Sequence, residues 1–116
     1  MNELIVYSKC KDFISYIDLY VFSSFPKYKL SLKIKFEQEM YGLLENITKA
    51  NFNKGNIRQK YLTDCLVNIS LMDTYIGYVF KHNIIIKKRF LSIVNKLDEL
   101  RKLIVGWRFE TETKKL

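Results

Sequence analysis

Four glycines and one proline in 116 residues leave this chain few places to turn. Glycine supplies left-handed backbone cheaply and proline ends helices, so a chain poor in both is built from a few long elements. A small all-β domain needs a turn signal every ~8–12 residues, and that density is missing. The length fits one domain that can bury a core without disulfides or metals. With 48% hydrophobic residues the chain is too apolar for wholesale disorder.

Apolar residues recur at helical spacing in four segments. The first runs from about Asn2 to Ser24, with Leu4, Tyr7, Cys10, Phe13 or Ile14, Ile17, and Tyr20 or Val21 on its stripe. It stops before Phe25-Pro26, because the residue preceding a proline disfavours helix. The second runs from Lys27 or Lys29 to Phe52 over Leu32, Phe36, Met40, Leu43, Leu44, Ile47 and Ala50, with Gly55 supplying the stop. The third, about Asn56 to Lys81 with Asn56 as N-cap, uses Leu62, Cys65, Leu66, Ile69, Met72, Ile76, Val79 and Phe80. The fourth, about Ile85 to Phe109, uses Phe90, Ile93, Val94, Leu97, Leu100, Ile104 and Trp107. Short connections between long helices make sequential neighbours antiparallel. The fold expected is all-α, an up-down-up-down four-helix bundle over residues 1–109, followed by a charged, frayed tail over 110–116.

Several apolar residues fall off these stripes. Leu4-Ile5-Val6, Ile84-Ile85-Ile86 and Leu103-Ile104-Val105 are consecutive, and three neighbours on a helix spread over more than one core face. Tyr75 and Tyr78 flank the third stripe. A second apolar surface closed by self-association is the expectation. Cys10 and Cys65 sit inside apolar patterns without CxxC spacing and read as buried free thiols of a reducing compartment. The first ten residues lack a cationic start followed by an apolar stretch, and no run approaches ~18–20 apolar residues. A cytoplasmic protein with no membrane partner is therefore expected.

The residues that carry enzyme chemistry are sparse. His82, the single histidine, falls in a helix–helix connection with no second ligand near it in sequence. Gly42, Gly55, Gly77 and Gly106 are isolated and form no phosphate loop. Glu37 and Glu39 point to different helix faces, and Glu45, beside the second stripe, is the one candidate for a buried carboxylate. No catalytic residue, metal site or cofactor is expected, and the chain reads as a binding protein rather than an enzyme.

Charge is more informative. Twenty Lys and Arg against 12 Asp and Glu give a net charge of +8, which favours polyanions. No acid lies between Leu19 and Phe36, where Lys27, Lys29, Lys33 and Lys35 fall, and none between Thr74 and Leu97, where Lys81, Lys87, Lys88, Arg89 and Lys96 fall. In the expected bundle both windows surround connections at the same end, so positive charge gathers at one pole. Cations at the start of the second and fourth helices oppose the helix dipole, and an incoming phosphate reverses that sign. The candidate binding residues are Lys27, Lys29, Lys33, Lys81, Lys87, Lys88 and Arg89. Arg101, Lys102 and Arg108 follow as a basic stripe along the fourth helix. Phosphate neutralisation without base readout is the expected mode, on RNA or DNA alike.

The ordered set Phe25-Pro26-Lys27 with Lys29, then Leu43-Leu44-Glu45 with Ile47 and Ala50-Asn51, the leucine-spaced third helix, and Gly106-Trp107 near the end of the fourth resembles a known family. It resembles the accessory variability determinant of diversity-generating retroelements. It is also similar to the related four-helix proteins encoded in intervening sequences of bacterial large-subunit ribosomal RNA. The resemblance spans nearly the whole chain and implies a homopentameric barrel with a basic surface. In the retroelement branch it further implies a reverse transcriptase partner and a role in mutagenic copying of template RNA into cDNA. The other branch implies an oligomeric structural or protein-interaction role without a reverse transcriptase.

Overall fold

The structure, a computed structural model, describes the backbone of residues 2–113 and the side chains of residues 5–113. Leu4, the expected start of the first stripe, and residues 114–116 of the expected tail lie outside the described side chains. Four helices follow one another: α1 (Asn2–Tyr20), α2 (Leu30–Asn51), α3 (Gly55–Lys81) and α4 (Lys87–Thr113). Each packs on two neighbours, α1 and α3 both touching α2 and α4, which closes an antiparallel ring of 50 × 23 × 20 Å. Cross-helix bonds show the register: Tyr16 meets Ser92, Asn68 meets Asn46, and Gln59 donates to the Arg108 carbonyl. No strand occurs among the described residues.

The core is the four stripes turned inward. Cys10, Phe13, Ile17, Phe36, Met40, Leu43, Ile47, Leu62, Cys65, Ile69, Met72, Ile93, Leu97, Leu100, Ile104 and Trp107 are all buried. On α1 the true stripe is Val6, Cys10, Phe13, Ile17 and Val21, while Tyr7 and Tyr20 face outward. The spacing admitted either set, and the aliphatic one fits the interior because a buried tyrosine must also satisfy its hydroxyl.

The ends depart from the expected boundaries at the end of α1, the start of α3 and the end of α4, while α3 ends at Lys81 as expected. Helix α1 stops at Tyr20, four residues early, and gives way to two short 3-10 turns, Phe22–Ser24 and Lys27–Lys29. Val21 already leaves the helical backbone, Pro26 keeps α1 from resuming through Phe25, and the Ser23 hydroxyl donates to the Leu19 carbonyl at 2.7 Å. Asn56 is not an N-cap: Lys54 holds that position without a side-chain bond, and Gly55 supplies the left-handed turn at φ +59°. Helix α3 ends in a Schellman motif, with Ile84 N–H bonding the Val79 carbonyl and Asn83 N–H the Phe80 carbonyl. Asn83 takes φ +58°, a conformation that asparagine tolerates better than most residues. Helix α4 continues through Thr113, so the described part of the expected tail is helical. Thr111 extends the core stripe one step beyond Trp107 and donates to its carbonyl at 3.0 Å.

Side-chain size sets how closely the helices approach. Helix α3 lies nearer to α2 than α1 does. On the near side Gly42 faces Asn68, whose amide is fixed by Asn46 at 2.8 Å and by Glu39 at 2.9 Å. A Cβ added at Gly42 would sit 3.0 Å from the Asn68 amide nitrogen. On the far side Phe13, Phe22 and Phe36 fill the α1–α2 gap with ring centroids 5.9–6.4 Å apart. Glu45 is exposed, whereas Glu39 is partly buried and accepts from Asn68, because α2 turns Glu39 toward α3.

Two glycines inside helices should therefore respond oppositely to alanine. A methyl group at Gly77 would stand in open space, so Gly77→Ala should stabilise by about 0.5–1 kcal/mol through helix propensity. Gly42→Ala should forfeit that gain by displacing Asn68, and urea unfolding of both variants checks the contrast. A second outcome concerns the thiols. Burial pushes Cys10 up to about 12 and Cys65 higher still. Above the ordinary thiol range, near ~8.5, the unfolded chain sheds protons that the folded chain keeps, so stability should fall as pH rises through that range. Unfolding free energies measured from about pH 7 to 10 should show that slope, and it should flatten when both cysteines are replaced by alanine.

A basic pole and the groove beside it

The ring topology brings the α1–α2 and α3–α4 connections to one end. Lys27 and Lys29 stand on the 3-10 turn before α2, Lys33 in its first turns, Lys81 in the last turn of α3, and Lys87 and Lys88 open α4. Lys27, Lys81, Lys87 and Lys88 are exposed, and Lys29 and Lys33 are half-buried. None of these six meets a carboxylate within hydrogen-bonding reach among the described residues. The Lys33 ammonium instead lies 5.3 Å from the centre of the Phe22 ring. Neither α2 nor α4 has an acid in its first turn, so both helix N-termini at this pole add their partial positive charge to the lysines.

Arg89 shares the neighbourhood but has another task. Its guanidinium donates to the Tyr16 hydroxyl at 2.8 Å and lies 4.5 Å from the centre of the Tyr20 ring. Tyr16 donates in turn to Ser92 at 3.2 Å, and Lys96 caps its ring at 4.6 Å. Burial alone would raise the Tyr16 hydroxyl, yet its bonds to Ser92 and Arg89 and the nearby Arg89 and Lys96 charges hold it below the ordinary phenol value. Arg89 is therefore a clamp of α1 onto α4.

The expected basic stripe along α4 is neutralised over most of its length. Arg101 bonds Asp73 of α3 and also Asp98, one turn back, at 3.1 Å. Lys102 reaches the same Asp98 at 3.5 Å. Arg108 is exposed near the far end of α4. These three residues lie well over ten residues beyond Lys88, about 20 Å or more along the helix at 1.5 Å per residue. The structure does not bring them together with the pole.

Between α1 and α4 runs a groove of about 320 Å³, with Phe13 and Leu100 in its floor and Lys9, Tyr16, Lys96 and Glu99 around it. A shallower hollow bordered by Lys88, Ser92 and Asn95 shares Lys96 and Glu99 with it and leads toward the pole. Lys9 and Glu99 form an ion pair across the helices, and their mutual hydrogen bond raises the lysine and lowers the carboxyl. Sequence reasoning passed over this groove. The usable signal was the spacing of Arg89, Ser92, Lys96 and Glu99, a polar row beside the α4 stripe, facing Tyr16 and Tyr20 at positions i and i+4. His82 is the exposed C-cap of α3. No group of three or more His, Cys, Asp or Glu able to hold a metal occurs among the described residues. No described helix is long and apolar enough to cross a membrane.

No protein-family model matches the chain, and no curated protein matches it. In three dimensions it is similar to a crystallised protein of unknown function from the S23 ribosomal protein family of Bacteroides thetaiotaomicron VPI-5482. The TM-score is 0.83 at 17% identity, over 93% of this chain and 98% of that one. At that identity what is shared is the fold, a four-helix bundle over the whole domain.

If Arg89 is a clamp and Lys88 a free cation, truncating them should separate. Arg89→Ala should cost roughly 1–2 kcal/mol in urea unfolding, from a lost charge-assisted bond and ring contact. Lys88→Ala should stay within about 0.5 kcal/mol of the parent.

Proposed function

We propose that this chain is a non-catalytic binding protein that takes nucleic-acid phosphates on its basic pole. The observation that carries the reading is the cluster of Lys27, Lys29, Lys87 and Lys88, set beside two helix N-termini, with Lys81 at the end of α3, and with no carboxylate partner among the described residues. Such a cluster repels itself until an anion arrives, and a phosphate meets side-chain ammonium groups and free backbone N–H groups together. In its more specific form, the protein is a cytoplasmic, homopentameric accessory factor of a reverse transcriptase that copies template RNA into cDNA. That form is supported by the family resemblance of Phe25-Pro26-Lys27, Leu43-Leu44-Glu45 and Gly106-Trp107.

A second reading is favoured by the fold shared with the S23-family protein: an oligomeric interaction protein without a reverse transcriptase. The outward face of α3 supports self-association in either case. Val67 and Tyr78 are half-exposed there, and from Cys65 to Phe80 the only charged residue is Asp73, which is paired with Arg101. On a chain of net charge +8, copies meet with least repulsion across an uncharged face.

The double variant Lys87→Glu/Lys88→Glu, with Arg89 left in place, should abolish binding of labelled RNA and DNA in fluorescence anisotropy while circular dichroism stays unchanged. In the parent, log affinity should fall linearly with log salt, at about 0.7–0.9 per phosphate engaged. Retained binding in the double variant moves the site away from the pole, and absence of binding by the parent at low salt leaves the interaction-protein reading.

A further inference from the structure

The pole is apolar as well as basic. Tyr28, between Lys27 and Lys29, is 78% exposed and has no ring partner or hydrogen bond among the described residues. Ile86, next to Lys87, is 69% exposed, and Leu30, next to Lys29, is 53% exposed. Phe22 and Phe25 on the same connection pack on each other and on the core, so the outward position of Tyr28 is a property of that residue and not of the loop. A purely electrostatic duplex-binding surface has no use for these side chains. A duplex presents phosphate and sugar outward and keeps its base faces stacked inside, whereas an unpaired strand offers phosphates and base faces together.

From this arrangement we propose that the pole binds single-stranded nucleic acid, with phosphates on Lys27, Lys29, Lys87 and Lys88 and an unpaired base stacked on Tyr28. The proposal rests on the basic-pole reading above and narrows its ligand. The end of the bundle is about 23 × 20 Å across, a span crossed by only a few nucleotides of single strand. Stacking on a tyrosine face is tolerant of base identity, which fits a surface with no base-reading motif. An anionic lipid surface is the rival occupant for a mix of lysine, tyrosine and isoleucine. It is disfavoured because shallow membrane binding uses an amphipathic helix lying flat, and here the helices meet the pole end-on with only three-residue turns across it.

The test compares a short mixed-sequence single-stranded RNA, the matching duplex and phosphatidylserine-containing vesicles at one salt concentration. The proteins are the parent, Tyr28→Ala and Tyr28→Phe. The expected result is tighter binding of the single strand than of the duplex. Tyr28→Ala should weaken the single strand by roughly tenfold and leave the duplex unchanged, and Tyr28→Phe should behave as the parent. Equal affinity for both forms, untouched by Tyr28→Ala, overturns the stacking proposal while leaving the basic-pole reading intact. Binding of neither nucleic acid, with or without retention on vesicles, overturns both.

Discussion

Each helix of this chain carries one apolar stripe, and four such stripes can leave water only by facing one another. That single constraint organises the molecule. Burying a large aliphatic side chain is worth about 1.5–3 kcal/mol, so the core residues drawn from all four helices together outweigh any preference of an individual helix. Once the stripes meet in a ring with short connections, antiparallel order follows, and the two ends of the bundle become chemically distinct places. The lysines around the α1–α2 connection and those around the α3–α4 connection, far apart in sequence, share one end of the bundle only because of this packing.

The ring does not close uniformly. Helices α2 and α3 come together over Gly42 and the Glu39–Asn68–Asn46 chain of hydrogen bonds. Helix α1 stands further off, spaced from α2 by phenylalanine rings and tied to α4 by the Arg89–Tyr16–Ser92 bonds and the Lys9–Glu99 pair. The α1–α4 seam is thus held by polar ties, with the groove lined by Lys9, Tyr16, Lys96 and Glu99 running along it. Arg89 illustrates how one cation can be withdrawn from a basic surface by a structural duty, since the charge that sequence places at the pole is engaged by two tyrosines of α1.

Electrostatically the bundle separates its cations into two populations. Along α4, Asp73 and Asp98 absorb Arg101 and Lys102. At the pole, no described carboxylate answers the lysines; the N-termini of α2 and α4 add to the charge of the lysines beside them, while the C-terminus of α3 favours Lys81. Close lysines without carboxylate partners repel one another, and an anion relieves that repulsion, which is the physical basis of the phosphate-binding role proposed above. The three-dimensional likeness to an S23-family protein bears on the shared bundle.

Most of the architecture was legible in the sequence. Breaker scarcity dictated long helices, and the 3.6-residue spacing selected nearly every core residue of α2, α3 and α4, because helical periodicity is a local property of the chain. The lysine-rich pole followed from the same reading, since it needs only helix order and loop length. What the tertiary structure alone decided depends on contacts between residues distant in sequence. The choice of Val6 and Val21 over Tyr7 and Tyr20 for the α1 core was made by the space its partners leave. The extension of α4 through Thr111 was made by packing beyond the last obvious apolar residue. The exposure of Glu45 and the part-burial of Glu39 were set by the rotation of α2 against α3. The division of the arginines and lysines into clamped, paired and free groups was settled by Tyr16, Tyr20, Asp73 and Asp98 arriving from other turns and other helices. Local spacing encodes which face of a helix is apolar, and only the packed neighbours determine which charges on the remaining faces stay available to a ligand.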